Sequence, residues 1–420
     1  MSGTLVVGAS QAGLQMAVSL RDLGDEEPIT LVGDEVHPPY QRPPLSKTFL
    51  SGGVDAEALA FRTPAFYAEA GIELVRGHRV SNIALAPTGP AGSGTATTDR
   101  GLTLHFDRLA LAVGARPRRL DIPGHDLRGI SYLRDVDDAT LLRARLENAE
   151  HVVVVGGGFI GLEAAAAARD AGKAVTVVEA ADRLLSRAVA PVVSEFYRQA
   201  HIRRGTSVVV SAGVCSFGGE DGRVTRVELS DGTVLPADLV LVGVGIVPRT
   251  ELAEQVGLEC DGGIVVDSYA RTSEPPVVAA GDCTVLPHPL TGVGRVRLES
   301  VQNAVAQARL AAASLIGQLK DTRTVPWFWS DQQDLKLQIA GLNGGYDDCV
   351  VRGEPDSEQF SVLYYRAGRL LAVDAVNRPA DYMAVRKALT DDATIPPERA
   401  AEVDVPLKTL ITRDAVTAVR

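Results

Sequence analysis

The sequence predicts an α/β fold with two βαβ modules, one interrupted by the other, followed by a C-terminal α+β domain. Short β-branched runs alternate with alanine-rich stretches over most of the chain, as βαβ units around parallel sheets require. Beyond residue 322, apolar and polar residues alternate in a manner typical of antiparallel strands, in Val350–Arg352, Phe360–Tyr365 and Leu370–Val373. The 420 residues suffice for two or three domains.

Composition limits the classes of partner. A net charge of −11 argues against nucleic acid or an anionic membrane surface. The longest apolar runs, such as residues 239–247, are shorter than the roughly 20 residues of a membrane-spanning helix. No signal-peptide pattern precedes the first strand. We therefore expect a cytoplasmic protein with no membrane partner.

The first module begins at the strand Thr4–Val7, continues through a helix over residues 12–23 and ends at the strand Ile29–Val32. Its connecting turn reads Gly8-Ala9-Ser10-Gln11-Ala12-Gly13, a glycine-rich loop with Ser10 at the usual middle glycine. The Ser10 hydroxyl can donate to a phosphate oxygen. Asp34 follows the second strand, where an acid accepts hydrogen bonds from a ribose.

The second module runs from the strand His151–Val155 through a helix over residues 159–171 to the strand Ala174–Val178. Its turn, Gly156-Gly157-Gly158-Phe159-Ile160-Gly161, matches G-x-G-x-x-G between a strand and a helix. The first glycine permits the tight turn, the second lets backbone approach a pyrophosphate, and the third lets the helix pack closely. Glu179 ends the next strand as the expected ribose acid. Both modules are thus predicted to be Rossmann-type dinucleotide-binding domains.

A third motif, from Thr272 to Asp282, fits T-x6-A-x-G-D, the pattern of two-dinucleotide flavoproteins in which the aspartate hydrogen-bonds the ribityl chain of FAD. Because it follows the second module, the FAD domain must be interrupted. At 112–117 and 243–248 a strand ends in glycine. We expect the chain to pass between the two dinucleotide-binding domains at these two segments. We expect FAD-binding segments at 1–112 and 247–321, an NAD-binding domain at 113–246 and the C-terminal domain at 322–420.

The carboxylate of Glu179 favours NADH over NADPH. Its hydrogen bond to a ribose hydroxyl is worth about 1.5–3 kcal/mol, and it would repel a 2′-phosphate in the same place. Ala180 and Ala181 offer no compensating cation, although Arg183 is close in sequence. We therefore expect FAD and NADH as the two cofactors.

With these motifs, nearly the whole chain resembles the ferredoxin reductases of the glutathione-reductase structural class, of the putidaredoxin-reductase and rhodocoxin-reductase types. The more specific marks are Tyr40–Lys47, Arg297–Ala304 and Pro326–Gln332. The resemblance implies an NADH-dependent flavoprotein that reduces a [2Fe-2S] ferredoxin for a bacterial haem-thiolate monooxygenase. Such reductases commonly carry asparagine at the position of Arg249.

The resemblance also implies roles for individual residues. Pro44 and Lys47 would lie against the isoalloxazine, Val80 and Arg134 would contact the cofactor, and Val301 would present its backbone N–H to the pyrimidine ring. A helix that starts near Ser300 would direct its positive end at the flavin N1–O2 edge, an effect of about 1 kcal/mol.

Lys47, Glu163 and Trp329 are the predicted catalytic residues. Trp329 would form an aromatic wall, Glu163 would face the nicotinamide, and Lys47 would pair with Glu163 across two domains. The predicted FAD-binding residues are Gly8, Ser10, Ala12, Gly13, Asp34, Pro44, Lys47, Val80, Ala112, Gly114, Arg134, Gly281, Asp282 and Val301. The predicted NAD-binding residues are Gly156, Gly158, Ile160, Gly161, Glu179 and Gly245. No metal site is expected.

The four cysteines form no CxxC or CxxxxC pair, which argues against a disulfide reductase because such enzymes need two thiols beside the flavin. A flavin takes two electrons together and releases them singly, which suits an iron-sulfur acceptor. Alternatives are rubredoxin or monodehydroascorbate reductases, an NADH oxidase, or a redox interaction protein like apoptosis-inducing factor.

An acidic ferredoxin needs a local basic patch on this acidic chain. Arg62 and Arg309 are the candidate docking residues by position in the resembled fold. We expect a monomer or a weak dimer.

Overall fold

A computed structural model describes residues 3–87, 91–319 and 324–413. Its contacts divide the chain into two compact units. The first unit comprises residues 1–41, 57–116 and 247–326, and the second comprises 42–56, 117–246 and 327–420. The chain passes between the units within two short paired strands, Ala115–Pro117 and Ile246–Pro248.

A five-stranded parallel sheet forms the centre of the first unit. Its strands are short and almost wholly apolar, as expected where both faces of a sheet are covered. Helices Gln11–Asp22 and Val301–Leu315 pack with it, and alanines such as Ala308 and Ala312, both 0% exposed, permit their close approach. The strands, in spatial order, are Val277–Ala279, Arg108–Leu111, Thr4–Val7, Ile29–Val32 and Ile72–Val75.

Two smaller sheets complete the first unit. One is antiparallel and comprises Val80–Leu85, Gly94–Thr98 and Thr103–Phe106. The other comprises Ile264–Val265, Thr284–Pro287 and Arg295–Val296. The shorter helical elements are Glu57–Leu59, Pro64–Glu69 and Glu251–Gln255.

The second unit contains its own five-stranded parallel sheet. Helix Val136–Asn148 begins at a capping box in which Asp135 and Asp138 satisfy each other's backbone N–H groups. Helices Phe159–Asp170 and Pro191–Arg203 contribute to the same apolar core. The strands, in spatial order, are Ser207–Val209, Ala174–Val178, His151–Val155, Leu239–Val242 and Ile130–Ser131. Between the strands Ser207–Val209 and Leu239–Val242, the chain forms a separate antiparallel sheet. Its strands are Val214–Glu220, Arg223–Leu229 and Val234–Pro236.

The C-terminal part of the second unit is an antiparallel sheet with helices. Its strands, in spatial order, are Trp327–Gln332, Leu335–Gly341, Arg369–Val376, Gln359–Arg366 and Asp348–Glu354. The helical elements are Pro355–Ser357, Pro379–Thr390, Pro397–Ala400 and Leu407–Thr409. One further short helix, Pro43–Ser46, belongs to this unit through segment 42–56.

The predicted fold class is confirmed. The four strands of the two βαβ modules have the predicted bounds, while their helices begin or end within one residue of the expected positions, at Gln11–Asp22 and Phe159–Asp170. The four-part domain division remains a prediction, which the two contact units neither reproduce nor replace. In the described ranges, no helix combines the length and apolar character needed to cross a membrane.

Candidate functional site: two dinucleotide cradles and a buried carboxylate

The first glycine loop leaves no space for larger residues at its two outer positions. Gly8 has a φ of +114°, and a Cβ atom there would lie 2.1 Å from the carbonyl oxygen of Ala112. A Cβ on Gly13 would lie 1.9 Å from the oxygen of Gly8. Helix Gln11–Asp22 starts directly after Ser10, and Ala12 is buried in its core face. The loop is therefore a tight strand-to-helix turn that fits a pyrophosphate.

Asp34 lies after the second strand of this module and pairs with Arg249. The guanidinium Nη1 donates to Asp34 Oδ2 at 2.9 Å, and both side chains are partly exposed. The Arg249 backbone is fixed as well, because its N–H donates to the Gly114 carbonyl at 3.0 Å. Gly114 itself has a φ of +64°. The departure from asparagine at position 249 thus supplies an ion pair to the predicted ribose acid.

Gln307 joins the Gly281–Asp282 turn to helix Val301–Leu315. Its side-chain oxygen accepts from the Gly281 N–H, the Thr284 hydroxyl and the Asn303 amide, at 2.9, 2.9 and 3.0 Å. The helix begins at Val301 as predicted, with Ser300 as its N-cap. This arrangement fixes Asp282 and the helix N-terminus within one unit, where both are predicted to contact FAD.

The second glycine loop has the same geometry with a more open centre. Gly156 has a φ of +107°, and its Cβ would lie 2.5 Å from the Gly243 oxygen; a Cβ on Gly161 would lie 2.3 Å from the Gly156 oxygen. A Cβ on Gly158, by contrast, would meet nothing within 4 Å. That space is where backbone N–H groups at the start of a helix receive a phosphate. Ile160, in the first helical turn, is 47% exposed.

Glu179 is held by the loop that it follows. Its carboxylate accepts from the Gly157 N–H at 2.7 Å and from the Ala181 N–H at 2.8 Å. The guanidinium of Arg183 donates instead to the Val189 carbonyl, the Ser186 carbonyl and the Ser194 hydroxyl. Arg183 is thus bound within its own loop. Gly245 has a φ of +100°, as a sharp exit from the adjoining strand requires.

Lys47 and Glu163 form an ion pair inside the second unit. Lys47 Nζ donates to Glu163 Oε2 at 2.7 Å, and the side chains are 17% and 1% exposed. Segment 42–56, which carries Lys47, clusters with the contact unit that contains Glu163. That the pair joins two domains stays a prediction. The helix turn Pro43–Ser46, started by two prolines, presents Ser46 and Lys47 to the same carboxylate.

Two serine hydroxyls complete the surroundings of Glu163. Ser46 Oγ donates to Oε2 at 2.5 Å, and Ser330 Oγ donates to Oε1 at 2.6 Å. Glu163 is 3% exposed as a residue, so it lies in the interior and not on a solvated helix face. Three donors on one buried carboxylate offset the desolvation of its charge.

Aromatic side chains lie on the strand that carries Ser330. The rings of Trp327 and Trp329 are 5.9 Å apart between centroids, and Phe328 packs against Phe159 at 4.7 Å. Arg386 lies over the Trp327 ring at 5.0 Å. Trp329 is partly exposed, which leaves part of its ring available as the predicted wall.

The remaining predicted cofactor residues lie in both units. Val80 and Ala112 are buried in the first unit, at 6% exposure each. Pro44 lies in the turn Pro43–Ser46, and its carbonyl accepts from the Lys47 N–H at 3.0 Å. The Arg134 carbonyl accepts from Arg42 Nη1 at 2.7 Å, which ties Arg134 to the segment that carries Pro44.

The docking candidates Arg62 and Arg309 are both exposed and both belong to the first unit. Arg62 lies over the Phe66 ring at 5.1 Å. Phe66 and Leu310, the neighbour of Arg309, pack against one apolar core. Their role in docking remains a prediction.

The sequence reasoning missed Ser46, Ser330 and Gln307. The first two lie in the family-like segments Tyr40–Lys47 and Pro326–Gln332, but a serine hydroxyl has no periodic or spacing signal that reveals its partner. Gln307 carries a weak signal, since it is a polar residue on the alanine-rich face of a helix. All three are at most 3% exposed.

The four cysteines form no disulfide. All four are free thiols. Cys283, next to Asp282, is fully buried, and desolvation raises its pKa to about 12. Desolvation also raises the pKa of Cys260 and of Cys349. Among the described residues, no cluster of three or more His, Cys, Asp or Glu side chains could hold a metal ion.

Two known family profiles together match most of the chain. Residues 3–308 match the family profile of pyridine nucleotide-disulphide oxidoreductases. Residues 327–411 match the reductase C-terminal profile.

Characterised relatives align over almost the entire chain. Rhodocoxin reductase of Rhodococcus erythropolis is 46% identical over 409 residues, which cover 97% of this chain and 94% of the relative. Putidaredoxin reductase of Pseudomonas putida is 40% identical over 412 residues, 97% of this chain and 96% of the relative. The resemblance to reductases of these types is confirmed.

Solved structures share the fold closely. A ferredoxin reductase from Rhodopseudomonas palustris superimposes with a TM-score of 0.93 at 42% identity, with 98% of this chain and 100% of that chain covered. The putidaredoxin reductase of a covalent complex with putidaredoxin gives 0.92 at 40% identity, with 97% and 98% covered. The chain therefore belongs to the pyridine nucleotide-disulphide oxidoreductase family, whose members use FAD and NAD(P)H.

Proposed function

We propose that this protein is an NADH-dependent, FAD-containing reductase that supplies electrons to a [2Fe-2S] ferredoxin serving a bacterial haem-thiolate monooxygenase. The near full-length similarity to rhodocoxin reductase and putidaredoxin reductase supports the reaction class and the type of partner. Gly8, Asp34 and Asp282 of the first unit would hold FAD. Gly158 and Glu179 of the second unit would hold NADH.

The observation that carries the proposal is the absence of a usable dithiol in a chain with two dinucleotide cradles. Relatives that reduce disulfides need two thiols beside the flavin. Cys283, which directly follows the predicted flavin contact Asp282 in sequence, is fully buried, and desolvation strongly raises the pKa of its thiol. Electrons must therefore pass directly to an external acceptor.

The residues of the chain act by binding and orientation. When bound, FAD would supply the means to take up two electrons together from the nicotinamide and to pass them singly to an iron-sulfur partner. The glycine loops hold the two pyrophosphates at helix N-termini. Ser46 and Ser330 hold Glu163, which in turn fixes the Lys47 ammonium; Lys47 is proposed to lie against the flavin ring. No proton-transfer residue is required, because rate follows from ring alignment and fixed charge.

The preference for NADH rests on the surroundings of Glu179. Its carboxylate is fixed by two backbone N–H groups, and it would repel a 2′-phosphate. Arg183, the cation nearest in sequence on that strand-to-helix connection, already donates to three acceptors of its own loop. It is therefore poorly placed to compensate a phosphate.

An anaerobic titration tests the proposal. NADH is added to the FAD-loaded protein while flavin absorbance is followed, and an oxidised [2Fe-2S] ferredoxin is then added. We expect stoichiometric bleaching of the flavin, followed by bleaching of the iron-sulfur bands and recovery of the flavin. Oxygen alone as acceptor at a comparable rate would contradict the proposal, as would protein that stays colourless after incubation with FAD.

A rubredoxin is the second candidate acceptor. Rubredoxin reductase of Pseudomonas putida is 37% identical over 375 residues, 89% of this chain and 96% of the relative. The same titration with rubredoxin in place of ferredoxin separates the two candidates. Slow turnover with every acceptor, together with tight NADH binding, would favour a redox interaction protein.

The proposal includes a cytoplasmic location. All four cysteines are free thiols, and unpaired cysteines are typical of reducing compartments. Fractionation of the native host with antibody detection tests this part separately.

A further inference from the structure

The Lys47–Glu163 pair is the end of a longer chain of buried side chains in the second unit. Ser330, which donates to Glu163, receives a hydrogen bond from Gln332 Nε2 at 3.2 Å. Gln332 Oε1 lies 2.9 Å from His201 Nε2. The three added residues are 0%, 1% and 3% exposed. They connect helix Pro191–Arg203 and strand Trp327–Gln332 to the helix that carries Glu163.

The directions of these hydrogen bonds are determined by proton count. The Ser330 hydroxyl has one hydrogen, which it donates to Glu163 Oε1, so towards Gln332 it can only accept. Gln332 must then present its amide nitrogen to Ser330 and its oxygen to His201. His201 therefore carries a hydrogen on Nε2. Desolvation lowers the pKa of His201, so the neutral Nε2–H tautomer is the form that fits.

In each of these hydrogen bonds the donor thus points towards Glu163. Aligned donors polarise one another. The final hydrogen bond, from Ser330 to the carboxylate, is therefore stronger than one from an isolated serine. Burying an imidazole, an amide and a hydroxyl is costly unless they are hydrogen-bonded, and an apolar core at these positions would avoid that cost. The polar chain ends at Lys47, whose side chain remains 17% exposed.

We infer that Ser330, Gln332 and His201 are positioning residues that hold Glu163, and through it the Lys47 ammonium, in a fixed place for electron transfer. The inference deepens the proposed function and rests on its placement of Lys47 beside the flavin. These residues act through Lys47 and do not themselves need to touch a cofactor.

Two variants remove successive links of this chain. Ser330→Ala removes the donor to Glu163, and Gln332→Met removes the donor to Ser330 with little change in volume. Ser330→Thr keeps the hydroxyl and serves as the conservative rescue. Gln333→Ala is the matched control, because Gln333 is the next residue and its amide donates to Asp170 at 2.7 Å, away from Glu163.

The first measurement is the rate of Lys47 acylation by an amine-reactive reagent, followed by peptide mass spectrometry on the full chain with and without FAD. A lysine released from its carboxylate reacts faster. We expect about threefold faster labelling in Ser330→Ala and Gln332→Met, because losing one hydrogen bond of ordinary strength changes an equilibrium by a few-fold. We expect wild-type rates in Ser330→Thr and Gln333→Ala. Unchanged labelling in both link variants would overturn the inference, whether or not FAD is bound.

The second measurement is stopped-flow reduction of the bound flavin by NADH, without ferredoxin. We expect a rate constant about tenfold lower in Ser330→Ala and severalfold lower in Gln332→Met at unchanged KM for NADH, because losing a charge-assisted hydrogen bond has effects of this order. Wild-type rate constants in both would count against the inference. Failure of the ferredoxin step alone would contradict the proposed acceptor and leave this result intact.

Discussion

Arg249 donates a hydrogen bond to Asp34 at 2.9 Å, although the family that the chain resembles commonly has asparagine at that position. The pair links the loop after the second domain crossing to the acid predicted to receive the FAD ribose. Both side chains are about one-third or more exposed, at 32% and 41%. Ion pairs of this exposure contribute at most about 1 kcal/mol.

We predict that Arg249→Asn changes FAD affinity less than about fivefold, because only a partly solvated ion pair is lost. Asp34→Ala is expected to weaken FAD binding by about tenfold or more, since a carboxylate that accepts from a ribose contributes about 1.5–3 kcal/mol. Fluorescence of FAD released from, and rebound to, the apoprotein measures both. Equal losses in the two variants would show that Arg249 itself binds the nucleotide.

Replacement of Glu179 by Ala should lower kcat/KM for NADH by about 10- to 100-fold, because the ribose acceptor and the anchor of the Gly157 N–H are lost together. NADPH should gain little, since Arg183 stays bound to its own loop. Asp182→Asn, at an exposed neighbouring carboxylate, is the control. A variant that prefers NADPH would contradict this account of specificity.

Charge reversal at Arg62 and Arg309 tests the predicted ferredoxin contact. The double variant should raise KM for ferredoxin by about tenfold at low ionic strength and much less at high salt, because exposed charges steer association and are screened. Flavin reduction by NADH should be unaffected. Arg100→Glu, another exposed arginine of the first unit, should leave KM unchanged. Unaltered KM in the double variant at low salt would remove both residues from the interface.

The buried carboxyl group of Asp374 should make the free energy of unfolding depend on pH. It is fully buried in the strand Arg369–Val376, where Oδ2 accepts from the Tyr364 hydroxyl and Oδ1 has no hydrogen-bond partner among the described residues. Burial raises its pKa to about 7. Between about pH 4 and pH 7 the folded protein therefore binds a proton that the unfolded chain releases, so stability falls as pH rises, by up to about 4 kcal/mol.

In Asp374→Asn this fall should be absent. The difference in unfolding free energy between variant and wild type should increase from pH 4 to pH 7, as measured by denaturant unfolding at a series of pH values. Asp391→Asn is the control, because the hydrogen bond from Lys387 lowers the pKa of Asp391 and moves its effect below this range. Parallel pH profiles for Asp374→Asn and wild type would refute the assignment.

The two cradles were predictable from the sequence for a local reason. A strand, a turn that only glycine permits and a helix are contiguous in the chain, so spacing alone marks Gly8, Gly156 and Glu179 as predicted nucleotide contacts. The bounds of Thr4–Val7 and His151–Val155 followed from β-branched runs that end at those turns. The cysteine spacing likewise argues against a CxxC or CxxxxC dithiol.

The surroundings of Glu163 depended on tertiary structure. Its partners Ser46, Lys47 and Ser330 are separated from it by more than one hundred residues. The hydrogen bonds that continue to Gln332 and His201 involve a further helix. Hydrogen bonds between such distant side chains have no sequence period, because they depend on how sheets and helices pack. The amino-acid sequence thus determined which cofactor cradles exist, whereas packing alone decided which side chains hold the charged pair.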